Sequence, residues 1–201
     1  MPSAALQSVL DGRFAEVLRF REKPVQEPLP AGIAGIGFPR GAVSEIHGPQ
    51  SSGRTTLLLS ALAQASQREE VCALVDVDDT FDPASAAAAG VLLDRLLWIR
   101  CGGNAERALK VTDLVVQGGG FGLIAMDLGN TPPETARRIP PASWFRFRHA
   151  VQNTRSVLLV LEQAPYARTC ATLSLEAKRD AVTWSGNLLC GTCFSLFAVK
   201  G

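Results

Sequence analysis

Nine residues constrain this chain more than any others: Gly48-Pro49-Gln50-Ser51-Ser52-Gly53-Arg54-Thr55-Thr56. They have the spacing of a phosphate-binding loop, G-x-x-x-x-G-K-[ST], with Arg54 in the lysine slot. Glycine lets backbone N–H groups turn inward around phosphate oxygens, and a following helix points its positive end at the same place. The flanks agree. Val43–His47 reads as a short strand, and Thr56–Gln67 as a helix with Leu57, Leu58, Ala61, Leu62 and Ala65 on one side. Gly48, Ser51, Ser52, Gly53, Arg54, Thr55 and Thr56 are therefore candidate nucleotide ligands.

A strand–loop–helix of this kind belongs in an open α/β sheet. The rest of the chain supplies one. Val71–Val77, Leu96–Arg100, Leu123–Asp127 and Val157–Leu161 are apolar strand candidates. Between them lie an Ala-rich helix opened by Asp82-Pro83, a helix over Ala105–Gln117 ended by Gly118–Gly120, and a helix over about Pro141–Asn153. The expected fold class is α/β, with a mostly parallel sheet flanked by helices. The tail from about Thr172 alternates weakly and predicts added edge strands. Residues 3–21 predict an N-terminal amphipathic helix, with Leu6, Val9, Leu10, Phe14, Val17 and Leu18 on one stripe. A Pro- and Gly-rich linker over Glu22–Gly41 reads as loop, or short helix with breaks. The expected division is helix and linker in 1–30 and core domain in 31–201.

Arg54 changes the chemistry of the loop. Lysine is a compact point charge, whereas arginine is a bulky planar fork. Nucleotide still fits such a site, but transition-state charge would be badly matched. Three readings stay open: a loop that binds nucleotide without efficient hydrolysis, a relic that binds nothing important, and a competent ATPase. Thr55 would reach a Mg²⁺, and Asp127 at a strand end would hold that ion through water. Asp76, Asp78 and Asp79 end the preceding strand, and one of them can serve as base for an attacking water. ATP and Mg²⁺ are thus the implied cofactors, with weak or absent binding expected.

Charge is balanced overall, 20 basic against 19 acidic groups, but it is segregated. Residues 1–131 hold 11 basic and 15 acidic groups; residues 132–179 hold 8 and 3. A local basic stretch can meet phosphate even when the total is near zero. Its arginines Arg137, Arg138, Arg146, Arg148, Arg155 and Arg168 are candidates for nucleic acid or a protein partner. In Trp144-Phe145-Arg146-Phe147-Arg148, helical spacing turns Trp144 and Phe147 to the core and the arginines outward. Five cysteines include a CxxC at Cys190 and Cys193, yet no second ligand pair accompanies it, so packing is expected and no metal site. No apolar run approaches the roughly 18 residues of a membrane span, and no signal pattern opens the chain. Cytoplasmic location is the expectation.

Two stretches resemble the RecA family of P-loop ATPases. Gly37-Phe38-Pro39-Arg40-Gly41-Ala42-Val43-Ser44-Glu45-Ile46-His47, running into the loop, is similar to the approach to the recombinase P-loop. Val75-Asp76-Val77-Asp78-Asp79-Thr80-Phe81-Asp82-Pro83 resembles that family's catalytic-acid segment. The resemblance covers about 35–180 and implies a RecA-like P-loop core. It places Asp78 where the family has a catalytic glutamate, and Gln163 at the glutamine that senses the γ-phosphate. It also marks departures. The adenine-stacking aromatic falls at Ser85, and the loops over 128–140 and 164–171 are short where the recombinase carries DNA-binding loops.

Within the family, the size, the N-terminal helix and the altered loop look most like the ImuA type of accessory protein in bacterial mutagenic translesion synthesis. The resemblance implies a scaffold, with an ImuB-type Y-family partner and single-stranded or primer-template DNA. By the recombinase's own assembly mode, Leu6, Leu10, Phe14 and Val17 would serve self-association or partner contact. The alternatives are a DNA-dependent ATPase of recombinase type and a SulA-like cell-division inhibitor.

Overall fold

The computed structural model describes residues 26–33 and 35–199. The expected helix bearing Leu6, Leu10, Phe14 and Val17 lies outside the described residues. The Pro- and Gly-rich linker is ordered differently from the expected loop: β1 (Leu29–Pro30) pairs antiparallel with β2 (Gly37–Phe38). Pro30 lies within β1 itself, a place proline takes on a short edge strand. Leu29 and Phe38 are completely buried and dock it onto the core.

Seven strands form the main sheet: β3 (Ala42–His47), β4 (Cys72–Asp76), β5 (Leu96–Arg100), β6 (Leu123–Asp127), β7 (Val157–Glu162), β8 (Leu173–Ser185) and β9 (Leu188–Val199). Their order is β5-β4-β6-β7-β3-β8-β9, parallel throughout except that β9 runs antiparallel to β8. The expected parallel sheet is thus present, and the tail forms a hairpin longer than its weak alternation suggested. Two-residue alternation splits the apolar side chains between both faces. In β7, Leu159 and Leu161 pack on one side, Leu158 and Val160 on the other.

Helix α1 (Arg54–Gln67) covers the first face through Leu57, Leu58, Ala61 and Leu62. Helix α3 (Ala105–Gly118) and helix α5 (Pro141–Val151) cover the second, where Trp144, Phe147 and Val151 are buried as their spacing predicts. Each fully buried large apolar side chain contributes roughly 1.5–3 kcal/mol. The short helices α2 (Pro83–Ala88) and α4 (Pro133–Arg137) lie in the connections after β4 and β6. Asp82 caps α2 as expected, accepting from the amides of Ala84 and Ser85. No described helix is long and apolar enough to cross a membrane.

Two arginines tie strand ends together. At the N-terminal end of the sheet, Arg40 is paired with both oxygens of Glu70 (2.6 and 2.7 Å) and donates to the carbonyls of Gly122 and Arg155. At the C-terminal end stands Arg54. Here the chain leaves β3 for β4 across two intervening strands, which opens a crevice above the strand tips.

Candidate nucleotide-binding site

The loop between β3 and α1 has the backbone that phosphate binding requires. Gly48, Ser51 and Gly53 all have positive φ, and α1 begins at Arg54 with no side-chain cap on its first amides. A Cβ on Gly48 would strike the carbonyl oxygen of Ala177 in β8 and crowd the Ser52 hydroxyl. Only glycine fits there. Ser52 is buried, and its hydroxyl has no partner among the described residues. An unpaired buried hydroxyl is costly and suits a ligand oxygen. Thr55 and Thr56 are exposed on the first turn of α1. The loop, with Asn130 and two β9 residues, Thr192 and Phe194, bounds a cavity of about 680 Å³. The arrangement fits an anion held by loop amides.

Arg54 also lines that cavity, but its guanidinium is engaged by main-chain carbonyls. It is 7% exposed, and its guanidinium donates to the carbonyl oxygen of Glu162 at the tip of β7 (2.5 Å) and to that of Gly129 after β6 (3.0 Å). It lies beside Asp127, whose Oδ1 accepts from the Gly129 amide at 2.8 Å. Burial raises the Asp127 carboxyl to about 6, against the opposing pull of that amide and of Arg54. Thr55 lines the cavity, whereas Asp127, the other expected Mg²⁺ ligand, is not among its lining residues. The positive charge next to Asp127 comes from the protein itself.

The three acids after β4 separate cleanly. Asp76 is buried and accepts from the amides of Thr80 and Phe81 and from Trp98 Nε1, each at 3.0 Å. Asp79 pairs with Arg100 and accepts from the Gly102 amide. Both are structural. Asp78 instead reaches the segment after β6, where its Oδ2 accepts from the Thr131 hydroxyl at 2.7 Å, and it does not line the loop cavity. The Thr131 carbonyl in turn accepts from Gln163 Nε2 at 3.0 Å. Buried Thr131 therefore links the candidate base Asp78 to the candidate switch Gln163. Sequence reasoning missed it, since a lone threonine in a loop carries no signal.

A second missed feature is a pair of buried carboxyls. Glu45 (1% exposed) on β3 and Glu162 (fully buried) on β7 interact, and one oxygen of each carboxyl has no hydrogen-bond partner among the described residues. Burial pushes Glu162 to about 8 and raises Glu45 as well. Glu162 also accepts from the Tyr166 amide at 2.6 Å. Glu162 closes the apolar run of β7 and Glu45 sits mid-strand in β3, and neither position is distinctive by itself.

The basic candidates do not form one patch. Arg137 and Arg168 line a cavity of about 400 Å³ floored by Ile139 and Trp144. Arg148 reaches the Thr169 carbonyl at that rim, and Arg138 is exposed beside Arg137. Arg146 is turned to Asp113 on α3. Arg155 precedes β7 and Arg168 follows it, so they sit at opposite ends of the sheet. Ser85, the position expected to lack a stacking aromatic, is exposed on α2 and bonded to Asp82. Cys190 and Cys193 are exposed along β9, not packed as expected.

The family model for the RecA N-terminal domain matches residues 28–133. Protein RecA of Teredinibacter turnerae is 37% identical over 136 residues, covering 62% of this chain and 39% of that protein. Protein RecA of Borrelia hermsii is 42% identical over 91 residues, covering 45% of this chain and 25% of that protein, and Protein RecA of Methylobacterium sp. is 45% identical over the same length and shares. The chain thus spans between a quarter and two-fifths of the length of these relatives. With its loop, parallel sheet and matched segment, the chain belongs to the RecA N-terminal domain family.

Proposed function

We propose that this chain is a RecA-type core acting as an adaptor in DNA damage tolerance, of the ImuA type. It scaffolds a translesion synthesis complex by holding an ImuB-type Y-family partner and single-stranded or primer-template DNA. Its loop binds ATP or ADP without efficient turnover. The observation that carries this reading is the position of Arg54, whose guanidinium is engaged by two carbonyls beside Asp127. A cation held there is not free to follow charge onto a departing γ-phosphate, which is where phosphoryl-transfer catalysts place theirs. The assembly role rests on analogy with the family fold.

The Asp78–Thr131–Gln163 chain favours a second reading, a DNA-dependent ATPase, because base and switch are joined. One experiment separates the two. Nucleotide binding and hydrolysis are measured with and without single-stranded DNA, alongside co-purification with the Y-family-type protein of the same genome. Binding without turnover, with a retained partner, is expected. DNA-stimulated hydrolysis would establish the enzyme instead.

A further inference from the structure

The cavity at the loop is chemically two-sided. Gln50, Ser51, Ser52, Thr55, Thr56 and Asn130 give it a polar wall suited to phosphate and ribose oxygens. Among its described lining residues, Phe194 is the single aromatic and the single large carbon surface. A volume of about 680 Å³ exceeds what phosphate groups need and falls in the range of small-molecule sites, roughly 300–1,000 Å³. The position of Phe194 is fixed from two sides. A Cβ built on Gly53 would lie 2.7, 2.8 and 3.0 Å from its Cγ, Cδ1 and Cδ2, so the ring lies across that glycine. Within β9, Thr192, Phe194 and Leu196 share one face, and Phe194 and Leu196 pack against the core cluster under α1.

We propose that Phe194 is the base-contacting residue of this site, so that the ligand is a nucleotide whose base lies against β9. The inference rests on the nucleotide-binding reading and assigns its base end. Every nucleobase offers a π-face to an aromatic ring, and such contacts tolerate base identity. At the phosphate end the Arg54 guanidinium is already engaged by two carbonyls, so the base contact carries a larger share of the affinity. Among the described residues β9 pairs in the sheet with β8 alone, which makes the base wall part of the β8–β9 hairpin.

The test compares ATP and inorganic tripolyphosphate binding to the full chain and to Phe194→Ala, Phe194→Leu and Phe194→Tyr by calorimetry. Roughly tenfold weaker ATP binding in Phe194→Ala is expected, with tripolyphosphate unchanged and Phe194→Tyr like the parent. Phe194→Leu keeps the packing volume but loses the ring, so it reads the contact if the alanine variant fails to fold. Equal or tighter ATP binding in the alanine or leucine variant would overturn the assignment, a tighter one marking the ring as a plug. A parent that binds tripolyphosphate and ATP equally would also overturn it while leaving the loop an anion site. A parent that binds neither would overturn the nucleotide reading and this inference together.

Discussion

Arg54 donates to the main-chain oxygen of Glu162, which joins the first residue of the loop helix to the tip of β7. The same guanidinium reaches the Gly129 carbonyl after β6. A single planar fork thus bridges two neighbouring parallel strands. A lysine ammonium has no such fork and would leave one carbonyl unmet. Arg54→Lys is expected to lower stability by about 1–3 kcal/mol, the cost of a buried acceptor losing its partner. For a domain of this size that is a fall in Tm of roughly 2–4 °C per kcal/mol. The freed ammonium is also expected to raise ATP turnover above the parent's. Thermal melts and a phosphate-release assay check both, and an unchanged Tm would mean the bridge contributes nothing.

Thr131 is the second target. Its hydroxyl donates to Asp78 and its carbonyl accepts from Gln163. Thr131→Val keeps the shape and the carbonyl but removes the donor to a carboxylate. A loss of about 1.5–3 kcal/mol is expected in denaturant unfolding, with Thr131→Ser restoring most of it. Equal stability of the valine and serine variants would contradict the assignment.

The Glu45–Glu162 pair sets a pH dependence. Glu162 in the folded chain titrates at about 8, against an ordinary value of 4.5. Between these values the folded state holds a proton that the unfolded state has released. Stability therefore falls as pH rises through this window, at most about 1.4 kcal/mol per pH unit, and the penalty is complete above pH 8. The groups around the pair are Ser174 on β8, the amides of Tyr166, Ala167 and Arg168, and Glu45 itself, whose own rise has the same sign. Glu162→Gln stays neutral at every pH and still accepts from Tyr166. Its melting temperature is expected to vary less between pH 6 and 8.5 than the parent's, and to exceed it at the alkaline end. Parallel pH profiles would show that the carboxyls do not share a proton.

How much of this was legible beforehand follows from where each signal lies. Strands β5 and β6 were readable to the residue because apolar runs end at Arg100 and Asp127 and turn residues bound them. Asp82-Pro83 announced α2 because cap and first-turn chemistry are local. The loop announced itself for the same reason. The β8–β9 hairpin was only half seen, although Gly186-Asn187 between two alternating runs is a two-residue turn signal, and Gly186 has φ 61°. The β1–β2 pairing was hidden by its prolines. What the sequence could not show is long-range: that Arg54 finds carbonyls 75 and 108 residues away, that Phe194 returns to Gly53, and that Thr131 joins Asp78 to Gln163. None of these contacts needs a distinctive residue at its far end.

The separated arginines give the last prediction. β7 is six residues long, so Arg155 and Arg168 lie roughly 20 Å apart along the strand direction. Arg155 sits near Arg40 at the N-terminal end, where its carbonyl accepts from that residue. Arg168 and Arg137 share a cavity at the other end, beyond the strand tips that carry Asp127 and Glu162. On the proposed function, single-stranded DNA runs over the latter end. Binding of a fluorescent oligothymidine is measured as a function of salt for Arg137→Ala, Arg168→Ala and Arg155→Ala. The first two are expected to weaken affinity, each lowering the slope of log K against log salt by about 0.7, the loss of one phosphate contact. Arg155→Ala is expected to match the parent. Since all three substitutions remove the same charge from an exposed side chain, net charge cannot explain a difference among them. A uniform effect would mean non-specific attraction, and loss with Arg155→Ala alone would move the DNA surface to the opposite end of the sheet.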